Sequence, residues 1–282
     1  MINDLVDNVY VLNLEKDLFK YEILKRKLNE KGIQHQRFVG TDGLDCSTSP
    51  DRKEKALREV LDKYRDSELY EPLLRAGGNI LNIDGAGAMR SRGAMGCLFS
   101  HREIIQDAID NKYKKILIFQ DDIYFHKQFE ELLEDLKSSI ESGAIIHLGA
   151  TEFKAWMKKT KWRDPNWSYK QNKYSPTDQT CGMFGVIISE EVFVPFMELS
   201  RFNFFAADRA LSFLGTTTFS SRSWVARPNL IIHDISFSNT ARNEPTHESG
   251  RQHKPMITEF VLEEFGWNLD YYDLSERYYD RS

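Results

Sequence analysis

Residues 116–126, ILIFQDDIYFH, constrain this chain more than any other stretch. Ile116, Leu117, Ile118 and Phe119 leave no polar position for a solvated sheet face. A strand of this kind is buried on both sides and belongs in the middle of a mainly parallel sheet covered by helices. The run then stops abruptly at Gln120, Asp121 and Asp122. In open α/β sheets ligands bind beyond the carboxyl ends of the strands. Two adjacent carboxylates there repel each other unless a cation or hydrogen-bond donors compensate. Such oxygen-rich sites suit Mg2+ or Mn2+, held through one or two carboxylates plus substrate phosphates. The pair therefore points to a metal-bridged nucleotide diphosphate. A turn that caps the next helix is the competing account of an Asp-Asp dipeptide.

The rest of the chain alternates apolar runs with amphipathic patterns, the signature of an α/β layer architecture. Residues 9–14 (VYVLNL) read as a first strand. Leu18, Tyr21, Leu24 and Leu28 then predict a helix over 17–31, with Asp17 near its N-cap and Gly32 at its end. Residues 34–39 are a second strand, running into the turn-rich Gly40-Thr41-Asp42-Gly43. Further on, the spacing predicts helices over 100–111 and 129–140 and strands over 116–120, 144–148, 183–188 and 229–232. Short helices follow Ser189 and Asp208. Residues 44–92 differ in texture, charged and helical at first and then glycine-rich, and read as a helical, Gly-rich insertion over one sheet edge, either a lid or a plain surface excursion. No linker divides the chain, so residues 1–282 are expected to form a single domain.

The charge balance narrows the function. Lys and Arg number 38 against 43 Asp and Glu, a net charge of −5, which argues against a nucleic-acid partner. No stretch approaches the roughly 18 consecutive apolar residues of a transmembrane segment. Cys46, Cys97 and Cys181 are odd in number and lack CxxC spacing, which favours a reducing compartment.

The segment 93–101 (GAMGCLFSH), then a helix, then an apolar strand ending in a carboxylate pair, resembles glycosyltransferase family 25. That family includes bacterial lipooligosaccharide galactosyltransferases and procollagen galactosyltransferases. Further blocks follow in the expected order: VYVLNL, RFVGTDG at 37–43, Leu148-Gly149-Ala150, CGMFGVIIS at 181–189 and Ala207-Asp208-Arg209. The resemblance implies a GT-A-type, Rossmann-like mixed and mainly parallel sheet flanked by helices. It further implies a UDP-sugar donor, transfer with inversion, and a Mn2+ or Mg2+ cofactor. The family's acidic signature opens with Glu where this chain has Gln120, which keeps the hydrogen-bonding capacity and loses the charge. Asp122 is then the first metal ligand expected, with Asp121 second or supporting.

Asn13, Thr41 and Asp42 would lie at the first strand ends, where the resemblance places uracil and ribose contacts; turn formation also accounts for Thr41 and Asp42. Lys20 falls near a family arginine that contacts the nucleotide, or is a solvated helix lysine. Ser100 and Glu103 form a capping-box pattern, which puts His101 in a first helical turn, facing the diphosphate or packed in the core. Cys97 reads as core. Inversion needs a general base; Asp208 is the choice, with a plain helix cap as the alternative and Asp178 and Glu152 less favoured. His233 leads as a second metal ligand, with His247 and His253 as alternatives and Arg242, Arg251 and Lys254 available to phosphate. Ser238 resembles a family serine, and Trp156, Trp162 and Trp167 could stack on acceptor sugars or pack under a loop.

The sequence thus predicts a metal-dependent inverting glycosyltransferase, moving galactose, glucose or xylose from a UDP-sugar to an oligosaccharide, glycoprotein or lipooligosaccharide acceptor. A non-catalytic glycan-binding relative and a metal-dependent nucleotidyltransferase or pyrophosphatase are the alternatives. The absence of a leader or retention signal predicts a cytoplasmic enzyme of bacterial or viral origin.

Overall fold

The computed structural model describes residues 1–43, 58–59, 61–71, 73–74, 92–152, 172–177, 180–201, 205–234 and 265–278. The strands are β1 (Asn8–Asn13), β2 (Gln36–Val39), β3 (Lys115–Gln120), β4 (Ile123–Phe125), β5 (Ile145–His147), β6 (Thr151–Glu152), β7 (Lys173–Tyr174), β8 (Thr180–Cys181), β9 (Gly185–Ser189), β10 (Ser223–Ala226) and β11 (Ile231–His233). The main α-helices are α1 (Leu18–Glu30), α2 (Arg92–Asp110), α3 (Phe129–Ser142), α4 (Glu190–Ser200) and α5 (Ala207–Thr216).

A seven-stranded sheet runs in the order β2-β1-β3-β9-β5-β10-β7. Parallel pairing joins β2, β1 and β3, and β5 to β10; β9 and β7 are antiparallel to their neighbours. Five strands therefore point one way, giving the mixed, mainly parallel sheet expected. The two-residue period of a strand explains why residues 116–119 of β3 are apolar without a break. Leu117 and Phe119 pack into one layer with Ile23, Leu24 and Leu136. Ile116 and Ile118 pack into the other with Leu98, Ile105 and Leu211. Residues Leu61, Tyr64, Leu69 and Leu73 of the 44–92 segment pack on this second layer, and Lys63 pairs with Glu198 of α4 at 3.0 Å.

One boundary departs from expectation. The helix predicted to start at Ser100 begins at Arg92, so the capping box does not form. Ser100 is mid-helix, donating its hydroxyl to the Gly96 carbonyl at 2.7 Å and accepting the Thr41 N–H at 2.9 Å. Glycine weakens helices locally. Packing overrides that preference: a Cβ on Gly96 would lie 2.6 Å from the Gly43 nitrogen and the Thr41 oxygen. The helix needs glycine to touch the turn after β2. The Asp-Asp pair also does not cap the next helix, because β4 intervenes and α3 starts at Phe129.

Candidate active site

Strand register builds the acidic site. Leu12 of β1 stands beside Gln120 of β3, so the next step brings Asn13 against Asp121. The Asn13 amide donates to Asp121 Oδ2 at 2.6 Å and to the Asp17 carbonyl at 2.9 Å. Lys20, on the first turn of α1, is 2 % exposed, with its ammonium 3.6 Å from Asp17 and 4.0 Å from Asp121. It is not a solvated helix lysine. A buried ammonium needs partners of opposite charge, and this one faces the carboxylates. Burial pushes the Asp121 carboxyl upward and neighbouring Asp122 pushes it further, while Lys20 and Asn13 pull it back.

Asp122 is placed differently. After it the chain turns into β4, whose pairing with β11 sets Ile123 opposite His233. The Asp122 carbonyl accepts the Asp234 N–H at 2.8 Å. Its side-chain Oδ1 is buried and has no hydrogen-bond partner among the described residues. Burial raises its carboxyl as well, opposed by Lys20 and reinforced by Asp234. An orphaned carboxylate oxygen at the carboxyl end of a central strand suits a divalent cation that takes its remaining ligands from phosphate and water. The His233 ring lies 4.7 Å from Phe184 and 5.6 Å from Trp267, and burial lowers its pKa to about 4, which leaves it neutral as a metal-ligating imidazole must be. Among the described residues no three His, Cys, Asp or Glu side chains form a group that could hold a metal ion.

Asp208 lies in the first turn of α5 behind the N-cap Ala206. Its Oδ2 accepts the Gly182 N–H at 3.1 Å. Gly182 has φ +96°, and a Cβ there would meet the Phe184 ring at 2.5 Å, so glycine is required to aim this N–H. The Cys97 thiol is pushed up to about 12, chiefly by burial and then by the charges of Asp208 and Asp122. Cys97, partly buried against the second layer, is therefore an unreactive thiol. His101 is not at a helix N-terminus. It lies in the third turn of α2, fully buried, with Nδ1 2.7 Å from the Cys97 carbonyl. Burial lowers its pKa, against the Cys97 carbonyl and Asp208.

The other expected contacts are engaged within the protein. The Thr41 hydroxyl donates to Glu103 at 3.2 Å, and Asp42 pairs with Lys16 at 2.7 Å. Gln120 is half-buried at the end of β3, its N–H donating to the Phe184 carbonyl. Cys46, Trp156, Trp162, Trp167, Asp178, Ser238, Arg242, His247, Arg251, His253 and Lys254 lie outside the described residues. Sequence reasoning missed Asp234, which is 2 % exposed and accepts the Tyr124 hydroxyl at 2.5 Å. The signal was present: LIIHD at 230–234 is an apolar run halted by an acid, as at Asp121.

The family model described as "Glycosyltransferase family 25 (LPS biosynthesis protein)" matches residues 6–210. Human procollagen galactosyltransferase 2 is 28% identical over 140 residues, 49% of this chain and 19% of that protein. The human protein named inactive glycosyltransferase 25 family member 3 is 31% identical over 147 residues, 51% of this chain and 22% of that protein. The chain thus matches about a fifth of the length of these relatives. A crystal structure of a glycosyltransferase involved in glycosylation of the major capsid of PBCV-1 aligns at a TM-score of 0.38 and 11% identity, covering 82% of this chain and 95% of that one.

Proposed function

The chain belongs to glycosyltransferase family 25, and on that premise we propose that it moves a sugar from a UDP-sugar to a hydroxyl of a glycan, glycoprotein or lipooligosaccharide. Galactose is the first donor to test, because named relatives are galactosyltransferases; glucose and xylose are the alternatives. The observation that carries the reading is the buried, unpartnered Asp122 Oδ1 at the end of β3.

Asp122 would hold Mn2+ or Mg2+, with His233 as the neighbouring candidate. When bound, such an ion offsets the charge that develops on the departing diphosphate. Lys20 supplies a fixed positive charge beside the same carboxylates, and Asn13 keeps Asp121 from swinging into the donor space. Transfer is a single displacement: the bond from the anomeric carbon to UDP breaks as the bond to the acceptor oxygen forms. Asp208 takes the acceptor proton, oriented by the Gly182 N–H. Inversion follows from attack on the face opposite the leaving group.

In a UDP-galactose assay with Mn2+ and a panel of acceptor glycans, the wild type should form product and gain thermal stability from UDP only when the metal is present. Asp122→Ala should lose both. Asp208→Asn should keep the metal-dependent UDP stabilisation and lose roughly 10²–10⁴ in turnover. UDP binding that ignores both metal and Asp122→Ala would sink the reading.

A second reading is a non-catalytic glycan-binding member. It is favoured by Gln120, which removes one negative charge from the acidic signature, and by the inactive human relative. It predicts sugar binding without turnover and indifference to Asp122→Asn. Family membership favours glycosyl transfer over a nucleotidyltransferase or pyrophosphatase.

A further inference from the structure

Arg37 opens the RFVGTDG block but has no part in the chemistry above. It lies on edge strand β2 opposite Val11, two residues along from Asn13 and on the same sheet face. Its Nε donates to Asn13 Oδ1 at 2.9 Å and its Nη2 to Glu15 at 2.9 Å. The guanidinium also lies 5.4 Å from the centre of the Tyr21 ring. Asn13, itself 1 % exposed, then donates to Asp121 Oδ2 at 2.6 Å. A continuous chain of polar contacts runs from β2 through β1 to β3.

We propose that Arg37 is a positioning residue that acts through Asn13 to decide which of the two adjacent carboxylates is left open to ligand. An amide side chain offers oxygen on one side and NH2 on the other. A guanidinium is always charged and only donates, so it holds Oδ1 toward itself. That leaves the NH2 facing Asp121 and the Asp17 carbonyl. The flipped amide would set NH2 against guanidinium and oxygen against carboxylate, two repulsive contacts in a buried place. With the amide locked, Asp121 Oδ2 is held by Asn13 and Oδ1 faces Lys20. Of the two carboxylates, Asp122 is the one that keeps a buried oxygen with no partner among the described residues. Arg37 thus divides a symmetrical-looking Asp-Asp pair into one fixed and one available carboxylate. This role rests on the donor site proposed above.

The test has one arm without ligand and one with it. In full-length, ligand-free protein, the Asn13 side-chain amide is followed by ¹⁵N NMR in the wild type, Arg37→Met, Arg37→Lys and Glu15→Gln. The wild-type amide protons should be shifted and protected from exchange. Arg37→Met should collapse both features, Arg37→Lys should restore part of them, and Glu15→Gln should leave them unchanged. In the second arm, Arg37→Met should weaken Mn2+-dependent UDP binding roughly tenfold. The double variant Asn13→Ala/Arg37→Met should be no weaker than Asn13→Ala alone, because both act on one chain of contacts. An unchanged Asn13 amide in Arg37→Met, or additive losses, would overturn the proposal. If the wild type binds no UDP, the donor reading fails by itself, and the ligand-free arm still decides the role of Arg37.

Discussion

Asp122 and Gly182 each trade stability for position. The Asp122 carboxyl is raised by burial in the metal-free protein, so at neutral and higher pH its ionised form weighs against the fold. A group raised in the folded state contributes stability at low pH that is lost as pH rises. Asp122→Asn should therefore raise the metal-free Tm at pH 8 by a few degrees while abolishing metal-dependent UDP binding. An unchanged or lower Tm would mean the carboxylate is compensated without a metal. Gly182→Ala should cost about 1–3 kcal/mol, because alanine resists a φ of +96° and its Cβ meets Phe184. Turnover should fall more than UDP affinity, since the Gly182 N–H holds Asp208 rather than the donor. Equal losses in both would show that the residue serves the fold alone.

At the level of elements, the short ribbon of β4 and β11 carries the chain out of the acidic turn, and residues 265–278 brace it. The Tyr278 hydroxyl donates to the Ile123 carbonyl at 2.7 Å, directly after Asp122. The Asp273 N–H donates to the Phe125 carbonyl at 2.9 Å, and Trp267 packs on Phe184 and His233. The bracing residues 265–278 lie beyond the matched 6–210. Tyr278→Ala should cost about 3–5 kcal/mol by denaturant unfolding, whereas Tyr278→Phe, which loses only the hydroxyl contact, should cost about 1 kcal/mol. Similar midpoints for the two variants would show that the ring contributes little packing. The brace was illegible in sequence: a terminal tyrosine has no periodic partner, and its contacts lie more than a hundred residues away.

For the molecule as a whole, the buried histidine of β5 predicts a loss of stability in acid. His147 on β5 is 1 % exposed, and burial holds its pKa at about 4 against an ordinary 6.5. The unfolded chain therefore takes up the proton first. Its contribution is intact above pH 6.5 and is lost as pH falls toward 4, up to about 3 kcal/mol. Between pH 7.5 and 5 the wild-type Tm should fall more steeply than that of His147→Gln. Parallel slopes would assign the acid loss to other groups. Among the described residues no helix is long and apolar enough to cross a membrane.

Much of the architecture was legible because it depends on period and burial. The apolar runs of β3 and β1 are local statements that both of their faces are covered. The acidic pair at the end of β3 was legible for the same reason: a carboxylate interrupting a buried strand must have a partner. The start of α2 was not, because Gly96 disfavours helix locally and is retained only for its approach to residues 41–43. The family resemblance ranked Asp122 before Asp121 as a metal ligand, but the residues themselves offered no physical reason for that order. The two are identical in type and adjacent in the chain. Only strand register, which sets Asn13 against one and Asp234 against the other, makes one carboxylate a strut and leaves the other an open oxygen.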